Sequence, residues 1–255
     1  MQSDYDRVTN IEKWKTNILY LSTIITLSLT IDEKYEFSKR SDVLLDYVNW
    51  LIGINSIFVF VYVWMEIQGN LIFSKAERNR TLQYVDNSFD TNFAGKKLDN
   101  YFTQDKLSPG FYKFSVNCFE NTFHTFNIVK QMQLKTYAKA AVIFAVFMFS
   151  ATVGEKGMAR YLIESILPLS LIQQAIKLAI FVTRLDNLLE VFSTFFSSLR
   201  GKDFTDREPE ALKNVITYET ILAWASIPLD SKVFTKMRDE LADEWSQLKI
   251  SFSIE

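Results

Sequence analysis

Residues 47–65 read YVNWLIGINSIFVFVYVWM, without one charged side chain, between Asp46 and Glu66. At a rise of 1.5 Å per residue, a helix of about 19 residues nearly crosses a hydrocarbon core ~30 Å thick. The alternative, a helix buried in a large water-soluble domain, seldom stays uncharged for so long. Aromatic rings gather towards both ends, Tyr47 and Trp50 at one and Tyr62 and Trp64 at the other, as they do where an apolar body meets a wet edge. The stretch predicts a transmembrane helix, and Lys75, Arg78 and Arg80 beyond it assign the following segment to the cytoplasmic side.

Three further apolar runs obey the same logic. Residues 14–31 (WKTNILYLSTIITLSLTI) carry one charge, Lys15, near enough to the end for its side chain to snorkel. Residues 138–153 (AKAAVIFAVFMFSATV) and 161–182 form a third and a fourth span, joined by a polar turn containing Gly154 and Gly157. Glu164, Gln173, Gln174 and Lys177 interrupt the fourth, and such groups are tolerated at membrane depth only where they face protein or water. The connector 32–46 is acidic on balance and is expected outside, whereas 74–136 is rich in Lys and Arg and is expected inside. The predicted fold is an all-α membrane protein: four transmembrane helices in two hairpins, a helical cytoplasmic module, and both termini cytoplasmic. Residues 1–73 hold the N-terminal segment and first hairpin, 74–136 a cytoplasmic helical insertion, 137–183 the second hairpin and 184–255 a C-terminal cytoplasmic helical region.

The polar residues inside these spans fall on stripes. Thr16, Thr23, Thr26 and Thr30 share one helical face, Asn49, Gly53 and Ser56 another, and Gln173 and Lys177 lie four apart on a third. The first two stripes serve either close helix packing or a water-lined path, and on the third either Lys177 snorkels towards the cytoplasm or the face lines an aqueous path. The candidate pore-lining residues are Thr23, Thr26, Thr30, Asn49, Ser56, Gln173 and Lys177.

In the soluble segments a helix is expected to end near Gly95, and Ser108-Pro109-Gly110 marks a second break. After it, Phe111, Phe114, Cys118, Phe119, Phe123 and Phe126 recur at three- and four-residue steps, an amphipathic helix whose aromatic face must bury on membrane, on other helices or on a second subunit. The tail is expected as a helix from Glu210 to about Ser226, broken by Pro228, and a last helix capped at Asp230 or Ser231 and running to Leu248. The 7 Gly and 4 Pro leave little for long linkers, and the net charge of −2 without a like-charged block predicts no direct nucleic-acid binding. A polar N-terminus without a small-residue cleavage site predicts no removable signal peptide.

Chemistry is sparse. No Walker loop, GxGxxG, HExxH, GxSxG or Cys/His metal cluster occurs, and Cys118 and His124 are the only residues of their types. Both read as structural, a lone Cys excludes an internal disulfide, and no catalytic residue, metal ligand or resident cofactor is assigned. An enzyme is disfavoured.

The two-plus-two arrangement of spans, the stretch AERNRTLQYVDNSFDTNF with its Phe89-Asp90-Thr91 core, and the tail segment IPLDSKVFTKMR over 227–238 together carry a likeness. The chain resembles the SMODS-associated four-transmembrane effectors, predicted pore-forming proteins of bacterial anti-phage systems that signal with cyclic oligonucleotides. The layout covers nearly the whole chain, the motifs only these two pieces. The resemblance implies a homo-oligomer in the bacterial inner membrane, quiet until a cyclic oligonucleotide or a cytoplasmic defence partner binds the cytoplasmic module, whereupon the spans rearrange into a leak and the infected cell stops growing. It makes Arg78, Arg80, Lys96, Lys97, Arg200, Lys202 and Arg207 candidate phosphate contacts. A second reading keeps the spans as the anchor of a scaffold or sensor that recruits a separate defence effector. A third, a small transporter or intramembrane enzyme, wants a cluster of buried ionisable residues that the spans do not display.

Overall fold

The computed structural model describes residues 4–95, 103–104, 106–153, 158–199 and 203–254. Among these residues every regular element is helical: α1 (Asp4–Tyr35), α2 (Asp42–Phe89), α3 (Phe111–Val153), α4 (Met158–Ser198), α5 (Glu208–Ala225) and α6 (Ser231–Phe252), with two short 3-10 turns, Phe37–Arg40 and Thr205–Arg207. Three of the helices, α2, α3 and the part of α4 from Glu164, are long and apolar enough to cross a membrane. The turn expected at Gly154 and Gly157 lies outside the described residues.

Local chemistry fixes the ends. Helix α1 stops where Glu36 takes a left-handed φ of 54°, and the Asp32 carboxylate there accepts from the backbone N–H and hydroxyl of Ser38 at 2.9 and 2.8 Å. Helix α2 ends at Phe89, six residues before the expected Gly95, because Asp86 gathers the chain that follows. Its carboxylate accepts from the Thr91 hydroxyl at 2.7 Å and from the Phe93 and Ala94 N–H groups at 2.7 and 2.8 Å, while Asp90 turns left-handed. Gly110, with φ 148°, makes the turn into α3 and gives its N–H to the Ser88 carbonyl at 2.8 Å. Pro209 sits in the first turn of α5, where its missing N–H is harmless. Ser226 ends α5 in the left-handed region, and Asp230 caps α6 by accepting from the Lys232 N–H at 2.9 Å.

The chain divides into two compact units. Unit 1 comprises Met1–Ile72 and Leu134–Ile176, and unit 2 comprises Phe73–Gln133 and Lys177–Glu255. The expected border between span and tail near residue 183 is not a helix break, since α4 is continuous through it.

Unit 1 is built from four helical segments, and each contributes to its core: Leu19 from α1, Val59 and Tyr62 from α2, Ala140 and Ile143 from α3, Leu167 and Leu171 from α4. The buried face of α1 includes Val8, Lys15, Ser22 and Leu29, seven residues apart each time, with Leu19 and Thr26 between. Close approach of α1 and α2 occurs at Gly69, where a Cβ would stand 3.4 Å from the Ile11 side chain.

Unit 2 has an aromatic core. The Phe-rich face of α3 packs on helices of its own unit: Phe119 stacks on Phe192 and Phe196 at ring separations of 5.4 and 5.3 Å and meets Trp245 edge-on at 5.2 Å. Tyr84 stacks on Phe114 at 4.6 Å and donates its hydroxyl to the Phe114 carbonyl at 2.5 Å. Each such ring stabilises the unit by about 1.5–3 kcal/mol through burial, before any geometry-specific gain.

Candidate functional site

Unit 1 reverses the usual distribution of polar and apolar side chains. Its outside carries large apolar groups, with Trp50 73% and Phe60 72% exposed and Trp14, Ile24, Ile57, Trp64 and Val142 also facing outward. Its inside carries a polar seam. The Ser22 hydroxyl of α1 donates to the Asn55 side-chain carbonyl of α2 at 2.6 Å, and the Asn55 amide reaches the Thr26 hydroxyl at 3.4 Å. Further along α1, Thr30 is fully buried, donates to the Thr26 carbonyl at 2.8 Å and shares a 2.5 Å hydrogen bond with Ser150 of α3. Helix α4 adds Glu164, 7% exposed. In water an apolar exterior this continuous would aggregate, and a polar interior would be a poor core; in lipid both are the favourable arrangement.

The pore-lining candidates divide accordingly. Thr26 and Thr30 lie on the seam, and Thr23 is half-buried beside it with its hydroxyl bonded to the Leu19 carbonyl at 2.8 Å. Ser56 is half-buried and donates to the Ile52 carbonyl of its own helix at 2.9 Å. Asn49 and Gln173 are exposed on the outside of the fold, and Lys177 is half-buried. The stripe Asn49, Gly53 and Ser56 therefore does not make the α1–α2 contact, which uses Asn55 and Gly69 one face away. Gln174, in place of Gln173, turns inward and donates to the Tyr62 hydroxyl at 3.3 Å. Lys15 does not snorkel: it is buried, pairs with Glu12 at 2.7 Å and with Glu66, and stands 5.5 Å above the Tyr62 ring.

The basic candidates occupy different settings. Arg78 is exposed on α2. Arg80 is buried in unit 2, where it grips Glu219 of α5 through two hydrogen bonds of 3.0 and 2.9 Å and meets Glu77 at 2.9 Å. Thr81 adds a hydroxyl to the same Glu219 carboxylate at 3.0 Å. The charge of Arg80 thus serves α2–α5 packing, and a phosphate would have to compete with two carboxylates for it. Arg207 binds Glu210 at 2.8 Å and lies 5.5 Å over the Phe195 ring. Lys96, Lys97, Arg200 and Lys202 fall outside the described residues.

Sequence reasoning passed over Ser22, Asn55 and Ser150 in unit 1 and the Arg80–Glu219 pair in unit 2. Within the Phe89-Asp90-Thr91 stretch, Thr91 helps Asp86 to close the end of α2. Cys118 is fully buried, and burial pushes its thiol well above its ordinary range, as it does the Tyr84 and Tyr218 hydroxyls. Burial also holds the His124 imidazole below its ordinary value, so it is neutral at physiological pH. These are the properties of core groups, not of nucleophiles.

Compared with protein-family models, with curated proteins and with solved structures, the chain matches none of them.

Proposed function

We propose that this chain is a four-span membrane effector of bacterial anti-phage defence, with unit 1 in the bilayer and unit 2 as the cytoplasmic module that receives the trigger. The observation that carries the membrane part is the apolar exterior of unit 1 around a hydrogen-bonded polar seam. It supports counting α1 as a fourth span beside the three apolar helices. Helix α1 is diluted by hydroxyls, yet Thr23, Ser28 and Thr30 give theirs to carbonyls one turn back, so the polar content of this helix is satisfied internally. Exposed Trp14, Leu21 and Ile24 on the same helix suit lipid. The connector 32–46 then lies outside, and both termini lie in the cytoplasm.

The effector part rests on the resemblance to the SMODS-associated four-transmembrane family and on the composition of the seam. Hydroxyls and one amide that bond to one another across helices can exchange those partners for water when the helices separate. That is a closed pore wall, and a trigger opens it only by binding the open arrangement more tightly than the closed one. A cyclic oligonucleotide would approach unit 2 through its exposed cations, Arg78 first among the described candidates. The scaffold reading has its own support: the seam is bonded shut, and a permanent anchor needs nothing more.

Ion release from liposomes containing the purified, inserted full-length protein separates the two, with and without a panel of cyclic di- and trinucleotides. Release with one nucleotide, abolished in Thr26→Leu with insertion unchanged, is the outcome expected. No release with any of them would favour the scaffold.

A further inference from the structure

The four helical segments of unit 1 bring together a set of charges that no single span displays. Lys15 of α1 keeps only 5% of its side chain exposed, in contact with Glu12 at 2.7 Å and with Glu66 of α2. Its ammonium lies 5.5 Å over the Tyr62 ring, whose hydroxyl accepts from Gln174 of α4 at 3.3 Å. Lys139 of α3 stands within electrostatic reach of both Glu12 and Lys15, so that two cations, Lys15 and Lys139, answer two carboxylates. A buried ammonium in a span is costly unless paired, and a buried pair gains little over apolar side chains of the same volume, so stability alone does not account for it. The partners are arranged for parting. Glu12 travels with Lys15 on α1, and Asn70 travels with Glu66 on α2, donating at 3.4 Å to the carboxylate oxygen that Lys15 does not touch. When α1 and α2 separate, the ammonium keeps one carboxylate and Glu66 keeps one donor. Neither is left alone, which is the condition that makes breaking an ordinary buried pair so unfavourable.

The course of the chain gives this pair a place in a mechanism. Helix α1 lies wholly within unit 1, whereas α2, α3 and α4 each run unbroken across the border between the units. A displacement within unit 2 is passed along three of the four helices, and α1 follows only as far as its contacts hold. Glu66 lies about three turns beyond Asn55 along α2 and about two turns short of Phe73, where that helix enters unit 2. The pair thus meets such a displacement before the seam does. We propose that Lys15 and Glu66 form a releasable clasp, which holds α1 against α2 in the closed arrangement and parts when unit 2 is triggered. The inference rests on the reading of unit 1 as a closed pore wall.

The test uses the full-length protein in liposomes without nucleotide and has two readouts. One is release of trapped potassium. The other is the rate at which copper phenanthroline oxidises the thiols introduced together by Ile11→Cys and Gly69→Cys to a disulfide. These positions face each other one turn beyond Lys15 and Glu66, since a Cβ at residue 69 stands 3.4 Å from the Ile11 side chain, and the native Cys118 is fully buried. Lys15→Glu replaces attraction by repulsion and should raise release and slow cross-linking, each by about tenfold, as expected where one contact biases a two-state equilibrium. Glu66→Gln, which removes the attraction and adds no repulsion, should give the same changes in smaller degree. The exchange of Lys15→Glu with Glu66→Lys keeps two charges of each sign and should restore both readouts. Slowed cross-linking with no release from any variant would keep the clasp and refute the pore reading. Release by the wild type with a cyclic di- or trinucleotide, alongside unchanged cross-linking in both single variants, would refute the clasp and keep the pore. Changes that the exchange fails to reverse would also refute the clasp, by assigning them to disturbed packing. Unchanged cross-linking with no release under any condition would refute both.

Discussion

Asn214 of α5 is fully buried, 0% exposed, and neither its amide nitrogen nor its carbonyl oxygen has a hydrogen-bond partner. It lies on the helix face that also buries Ala211, Val215 and Tyr218. Two orphaned groups cost about 1–3 kcal/mol each relative to their hydration in the unfolded chain, roughly 4 kcal/mol together. Leucine branches at the same carbon and needs no partners, but it is larger, and overpacking takes back about 1–3 kcal/mol. Asn214→Leu should therefore stabilise unit 2 by about 2 kcal/mol. For a chain of this size that is a rise in midpoint of about 4–8 °C. The assay is thermal unfolding of the full-length protein in detergent, read by near-UV circular dichroism, where Trp224 and Trp245 report on unit 2. Asn214→Asp is the opposing control, since it places a carboxylate in the same unpartnered position and should lower the midpoint. A midpoint below wild type for Asn214→Leu would refute the reasoning, because it would mean that the amide is hydrogen-bonded in solution and that its loss outweighs the apolar gain.

Two further outcomes follow from unit 2. Glu219→Ala should cost about 2–3 kcal/mol, less than a fully buried ion pair because Glu219 keeps 26% of its side chain in solvent, by removing the two hydrogen bonds that Arg80 makes to α5. Arg80→Met combined with Glu219→Leu should recover most of that loss in urea titrations, and a double variant no better than the single one would count against the pair as the cause. The pH dependence has a definite sign. An unfolded thiol ionises near 9.0 and an unfolded tyrosine near 10.0, while burial raises Cys118, Tyr84 and Tyr218 above these values. The stabilising difference is complete below pH 9 and is lost as pH rises, at up to ~1.4 kcal/mol per pH unit for each group that ionises only on unfolding. Urea midpoints should fall steadily from pH 8.5 to 11, with iodoacetamide labelling of Cys118 rising only as unfolding does; labelling of the folded protein at pH 8.5 would contradict the burial of the thiol.

What the sequence disclosed and what it withheld follow from the range of the interaction involved. The caps of α5 and α6 were legible because Pro209, Pro228 and Asp230 act within one or two residues of themselves. The end of α2 was not, because Asp86 acts on N–H groups seven and eight residues later, and no spacing rule announces a carboxylate that reaches forward so far. The three helices long and apolar enough to cross a membrane were legible as apolar runs, but which face of each run is internal was not. A helix turns 100° per residue, so the stripe Thr23, Thr26 and Thr30 and the ridge Ser22, Thr26 and Thr30 differ by a single step at one end. Both are hydroxyl stripes, and α1 alone gives no reason to choose. The choice is made by Asn55, whose amide accepts from Ser22 and gives to Thr26. On α2 the same ambiguity favoured Asn49, Gly53 and Ser56, because small and polar residues at four-residue steps look like an interface, while the working contact is made by Asn55 and by Gly69 two heptads beyond. Polar residues in a membrane helix mark it as having a partner but do not point to it. Their direction becomes readable only in pairs, and a pair across α1 and α2 is separated by 33 residues of sequence. The seam belongs to the packing of four helices, and no one of those helices encodes it.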